Sequence, residues 1–99
     1  MAQSNTQLDL ELLLQEPKMS QVILLNDDYT TVEFVIEILI NIFEKSFIQA
    51  QKITYNVHHN GSGVCGVYPY DIAEFKVKQA TIQAQKHKFA LKIIIQDFN

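Results

Sequence analysis

A chain of 99 residues, 47% hydrophobic and 10% aromatic, has the composition of an ordinary globular domain, and its length holds one core rather than two. Its formal net charge is −3 and its eight basic side chains are all lysines, scattered from Lys18 to Lys92 without a dense run, which argues against nucleic acid as a partner. The single cysteine, Cys65, excludes an internal disulfide framework and fits a reducing compartment, and no apolar stretch reaches the ~20 residues of a membrane span.

Residues 1 to about 19 differ from the rest of the chain: a polar start from Ala2 to Gln7, a leucine-rich acidic stretch from Leu8 to Leu14, then Gln15-Glu16-Pro17. They read as a flexible N-terminal extension, with Pro17 near the border of a folded domain over 20–99. Neither a signal nor a transit peptide is visible, so a bacterial cytoplasm is the expected location.

The folded part opens with a largely apolar run, Gln21 to Leu25, that stops at Asn26-Asp27-Asp28, the pattern of a buried strand ending in a tight loop. A helix comes next. Thr30 stands three residues before Glu33, the spacing of a capping box, and Phe34, Val35, Ile38, Leu39, Ile42 and Phe43 recur at helical intervals. Ser46 then caps a second helix running to about His59, with Phe47, Ala50, Ile53 and Val57 as its inward stripe and Asn60-Gly61 as its stop. A glycine-punctuated strand covers Gly63 to Tyr68. Pro69 begins a third helix, because its missing N–H is not needed in a first turn. Ala73, Val77, Ala80 and Ala84 form the buried stripe of that helix, with acidic residues near its N-terminus and Lys86, His87 and Lys88 near its C-terminus. Residues 90 to 95 make a last strand. The order β-α-α-β-α-β predicts an α+β domain, a three-stranded antiparallel sheet covered by three helices.

Three features carry chemistry: Asn26-Asp27-Asp28 at a strand end, His58-His59 at a helix C-terminus, and Cys65. Each also has a structural explanation, since Asn and Asp are turn residues and a histidine complements a helix dipole. A metal site lacks the usual Cys-x-x-Cys or His-x-x-x-His spacing, and a thiol flanked by Val64 and Gly66 in a buried strand is normally inert. No phosphate-binding glycine loop or hydrolase elbow occurs. A small Asp/His/Cys metal- or thiol-dependent enzyme and a generic protein-interaction domain remain as alternatives to a specific binding module.

The segment Val22-Ile23-Leu24-Leu25-Asn26-Asp27-Asp28-Tyr29-Thr30, continuing through Glu33-Phe34-Val35, then Val57-His58-His59-Asn60-Gly61 and Gly63-Val64-Cys65-Gly66-Val67-Tyr68, with Ile72-Ala73-Glu74 and Lys76-Val77, resembles the ClpS adaptor family from about residue 19 to 95. The resemblance implies a non-enzymatic adaptor without cofactor or metal. Such an adaptor binds proteins with a destabilising first residue, Phe, Tyr, Trp or Leu, and delivers them through the N-terminal domain of a Clp AAA+ unfoldase to its peptidase. It places the substrate's α-amino group on Asn26, Asp27 and His58. The substrate's side chain would enter a pocket of Asp28, Thr30, Val32, Val35, Thr54, Val57 and Leu91, and the unfoldase would touch Asp71, Glu74 and Lys76. The chemistry agrees, because an ammonium has three donors and no acceptor and needs convergent acceptors. Val32 and Thr54 stand where methionines are frequent in the family, Thr31 replaces a common proline, and Pro69 replaces a capping threonine. The shorter Val32 and Thr54 leave room near the substrate's Cβ, so an N-terminal Ile or Val is expected to be tolerated.

Overall fold

The structure, a computed structural model, describes residues 18–98; of the expected extension over 1–19, residues 1–17 lie outside them. Strand β1, Met19–Leu25, alternates strictly: Ser20, Val22 and Leu24 are buried while Met19, Gln21, Ile23 and Leu25 are half-exposed. That period of two turns one face of the strand to a core. Strands β2, Ser62–Pro69, and β3, Lys92–Asp97, flank it, both antiparallel, in the order β2-β1-β3. Val22 pairs with Gly66 while Ile23 pairs with Val64, so Cys65 is the extra residue of a bulge. β3 begins two residues later than expected, with Ala90 and Leu91 preceding it.

Helix α1 spans Val32–Asn41 and buries Phe34, Val35, Ile38 and Leu39. Its cap is Thr31, not Thr30: Thr31 is extended, and its hydroxyl accepts from the Phe34 N–H at 3.2 Å. The expected Thr30–Glu33 box does not form, because the N–H and hydroxyl of Thr30 both donate to Asp27. Helix α2, Phe47–Asn60, starts in a box of Ser46 and Gln49 and ends at Gly61, whose φ of 88° few side chains tolerate. Ala50 and Val57 are buried and Ile53 partly so, but Phe47 is 57% exposed. Helical spacing assigns Phe47 to the inward stripe; burial also needs a layer opposite, and the first residue of α2 has none.

Pro69 closes β2, where it pairs with Met19 on an edge strand that can spare its N–H, and it caps rather than begins the next helix. Helix α3 is Tyr70–Lys86. Its small buried residues, Ala73, Ala80 and Ala84, allow close approach to all three strands. Gly63 does the same for α2: a Cβ there would lie 2.9 Å from Val57 Cγ2 and 3.0 Å from the Ile53 carbonyl oxygen. The three helices thus share one face of the sheet, as the β-α-α-β-α-β order predicts.

Candidate functional site

The site lies where β1 runs out. The Asn26 N–H donates to the Gly61 carbonyl at 3.0 Å, which ties the end of β1 to the stop of α2 and sets Asn26 beside the last turn, where His58 stands. Asp27 then shapes the loop. Its Oδ1 accepts from the N–H groups of Tyr29 and Thr30, both at 2.8 Å, and its Oδ2 from the Thr30 hydroxyl at 2.7 Å. Burial pushes the carboxyl pKa up, but the Thr30 hydroxyl, the two N–H donors and the charge of Lys92 outweigh it and hold the pKa below its ordinary value. Asp27 is therefore a stable carboxylate.

These residues rim a cavity of about 470 Å³, and every residue expected at the amino end or in the side-chain pocket lines it: Asn26, Asp27, Asp28, Thr30, Val32, Val35, Thr54, Val57, His58 and Leu91. Val35 and Val57 are buried in its walls and Val32, 52% exposed, stands at the mouth. The Thr54 hydroxyl donates back to the Ala50 carbonyl at 2.7 Å, so its proton is committed within the helix. Its lining combines acceptors on Asn26, Asp27 and His58, none of them buried, with the buried aliphatic side chains of Leu24, Val35 and Val57. Leu24, Leu25, Tyr29, Thr31 and Glu33 also line it and were not anticipated. For Leu24, Leu25, Tyr29 and Glu33 the only signal was nearness to the loop.

The other assigned residues lie apart, on α3. Asp71 and Glu74 are exposed, and Glu74 accepts from the Tyr70 hydroxyl at 3.2 Å. Lys76 turns inward: its side chain is only 13% exposed and its Nζ donates to the Ile42 carbonyl at 2.6 Å, with Glu44 at 3.4 Å. It neutralises the C-terminal end of α1.

Cys65 is fully buried, and burial pushes its thiol up to about 12 against the opposing charge of Lys45 and a backbone hydrogen bond from Leu24. Such a thiol is not a nucleophile at neutral pH. Among the described residues no group of three or more His, Cys, Asp or Glu side chains could hold a metal ion, and no helix is long and apolar enough to cross a membrane.

A small α+β domain with an acceptor-rimmed apolar cavity and an inert thiol belongs to the class of binding modules. A family model described as "ATP-dependent Clp protease adaptor protein ClpS" matches residues 15–94. The chain is 46% identical to the ClpS adapter of Wolinella succinogenes over 93% of its own length and 90% of that protein, and 56% identical to that of Clostridium acetobutylicum over 81% and 79%. Among solved structures, Agrobacterium tumefaciens ClpS2 bound to L-phenylalaninamide superposes with a TM-score of 0.78 at 38% identity, covering 83% of this chain and 99% of that one. The chain belongs to the ClpS family: it is an adaptor of an ATP-dependent Clp protease, not an enzyme.

Proposed function

We propose that the cavity at the end of β1 receives the first residue of a substrate protein, with the α-ammonium against Asn26, Asp27 and His58 and the side chain among Val35, Thr54, Val57 and Leu91. The observation that carries this reading is one cavity whose lining combines acceptors with buried aliphatic side chains. An α-ammonium offers three donors, matched by an Asn carbonyl, a carboxylate and an imidazole nitrogen. The volume suits a Phe, Tyr, Trp or Leu side chain, within the roughly 300–1,000 Å³ of small-ligand sites. L-Phenylalaninamide, the ligand of the Agrobacterium relative, has the same two parts, a free amine and a benzyl group.

An internal peptide segment lacks the charge and would leave the acceptors unmatched. The bound protein would then pass to a Clp AAA+ unfoldase in a bacterial cytoplasm. Asp28 and Thr30, which line the cavity, complete the side-chain pocket, Asp71 and Glu74 meet the unfoldase's N-terminal domain on a face that Lys76 positions, and the extension before the folded domain takes part in delivery. Val32 at the mouth leaves space beside a branched Cβ, so N-terminal Ile and Val bind as well.

Titration of a short fluorescent peptide starting with Phe, and of its N-acetylated twin, tests the reading. Acetylation should weaken binding at least about a hundredfold, since it removes the charge and two of the donors; equal affinity overturns the proposal. Replacing the first residue by Leu, Ile, Val and Ala tests the mouth. Ile and Val binding no better than Ala removes the extension to branched residues.

A further inference from the structure

Two more hollows continue the cavity along α2. The first, about 290 Å³, shares Val32, Thr54 and His58 with the amino-end cavity and adds Ile36, Gln51, Tyr55 and His59. The second, about 410 Å³, shares Gln51 and Tyr55 with the first and reaches Ile48 and Lys52. Each hollow thus adjoins the next, and the three form a shallow line, the track, along α2. From His58 back to Ile48 the helix covers ten residues, which is about 15 Å at 1.5 Å per residue. That length matches four to five residues of extended chain at about 3.3 Å each.

The track is not a spare part of the core. Ile48, Lys52, Tyr55 and His59 recur at helical spacing on the face of α2 opposite to buried Ala50 and Val57, and the large apolar members stay open: Ile48 is 67% exposed and Tyr55 62%. The Tyr55 ring lies 4.0 Å from that of His59, which props it as a wall. What sets these exposed side chains apart is their place, in line with the amino-end cavity along α2.

We propose that the track holds the substrate residues that come after the first one, in extended conformation, and that it favours an apolar side chain at the third position. The inference rests on the amino-end reading above. With the first side chain down in the cavity and the ammonium on the acceptors, the chain leaves over the wall that both hollows share, at Val32, Thr54 and His58. Alternate side chains of an extended chain point to opposite sides. The second therefore faces solvent, and the third descends about 6.6 Å further on, into the hollow of Val32, Ile36 and Tyr55. The substrate class is thus proteins with an unfolded N-terminal segment that carries an apolar third residue.

The test uses the full chain and peptides that begin Phe-Ala-Leu, Phe-Ala-Ala and Phe-Leu-Ala, each free and N-acetylated, with the same polar tail. Free Phe-Ala-Leu should bind about tenfold more tightly than free Phe-Ala-Ala, as expected for partial burial of a leucine. Free Phe-Leu-Ala should match Phe-Ala-Ala. Tyr55→Ala, outside the amino-end cavity and on the helix surface, should erase the preference and leave Phe-Ala-Ala affinity unchanged. Equal binding of the first two peptides, a preference at the second position instead, or a preference that survives Tyr55→Ala overturns the track. If acetylated peptides bind as well as free ones, the amino-end reading itself fails. A strict need for the free amine with no effect of the third residue overturns the track alone.

Discussion

Asp27 and Lys76 sit in different regions, the loop after β1 and the face of α3, and each spends its charge on its own chain. Asp27 accepts three hydrogen bonds from Tyr29 and Thr30. Lys76 donates to the α1 terminus at Ile42 and lies 5.2 Å from the centre of the Tyr68 ring. What remains for a partner differs. A carboxylate has about four acceptor positions, so Asp27 can hold the loop and still face the cavity it rims. An inward-turned ammonium, bound to a half-buried carbonyl at a helix end, has little to offer outside. A charged residue assigned to a partner by its position in a family can thus be bifunctional in one region and chiefly a positioning residue in the other. On α3 it is exposed Asp71 and Glu74, beside Phe75 at 61% exposure, that present themselves outward.

The strongest way to break this contrast is Asp27→Ala. It removes a proposed ammonium acceptor and frees Thr30 and Tyr29 at once, so affinity for a Phe-terminated peptide should fall roughly a hundredfold, about 2.7 kcal/mol. Binding within threefold of the parent would show that Asp27 holds the loop and nothing else. The same residue gives a pH signature. Its folded pKa is lowered from 3.8, so its stabilisation is fully present above that value and is lost as pH falls through the folded pKa beneath it. The gap in denaturant midpoint between the parent and Asp27→Asn should be constant near neutrality and close below pH 3.8; a gap that widens in acid contradicts the assignment.

Gly63→Ala probes how the first region is held together. The added Cβ would meet a side chain at 2.9 Å and the Ile53 carbonyl at 3.0 Å, and a helix backbone cannot yield cheaply. Stability should drop by about 2 kcal/mol, and because α2 carries Thr54, Val57 and His58, peptide affinity should drop with it. Urea titration and peptide binding measured on one sample check the coupling, and destabilisation with unchanged affinity would break it. Lys76→Met is the complement. It should cost about 1.5 kcal/mol of stability by leaving the Ile42 carbonyl without its charged donor, with peptide affinity untouched. A loss of unfoldase binding larger than Asp71→Ala produces, in a protein shown to be folded, would restore Lys76 as a direct contact.

Much of the frame was legible because its determinants are local. Ser46 and Gly61 bound α2 through bonds made within a turn, and the apolar run from Gln21 to Leu25 stopping at Asn26 marks β1 as a strand, although which of its faces is buried shows only once the helices pack on it. What stayed hidden depends on distant partners. Phe47 has the right helical spacing for burial and no layer above it. The bond from Lys76 to Ile42 spans 34 positions and exists only because α1 ends where α3 passes. At the cavity, the acceptor residues and aliphatic walls were named through the family resemblance, whereas Tyr29 joined them through the path of the loop and Glu33 through the first turn of α1.

The two adjacent threonines give the smallest and most discriminating experiment. Spacing alone favours Thr30 as the cap of α1, since Glu33 lies three residues on; the fold instead gives Thr30 to Asp27 and the cap to Thr31. The outcome follows from where the helix begins: Asp27 holds the N–H and the hydroxyl proton of Thr30 in the loop, α1 starts at Val32, and the oxygen in place to accept from the Phe34 N–H is that of Thr31. Thr31→Ala should therefore cost about 1 kcal/mol of stability, the usual loss of a hydroxyl cap, and barely alter peptide affinity. Thr30→Ala should do the reverse, with little change in stability and a few-fold weaker binding as Asp27 loses a donor that orients it. Thermal melts and peptide titrations of the two variants, side by side, separate the roles. A stability loss at Thr30 equal to that at Thr31 would mean the loop and the helix start are one cooperative unit, with Asp27 as its shared anchor.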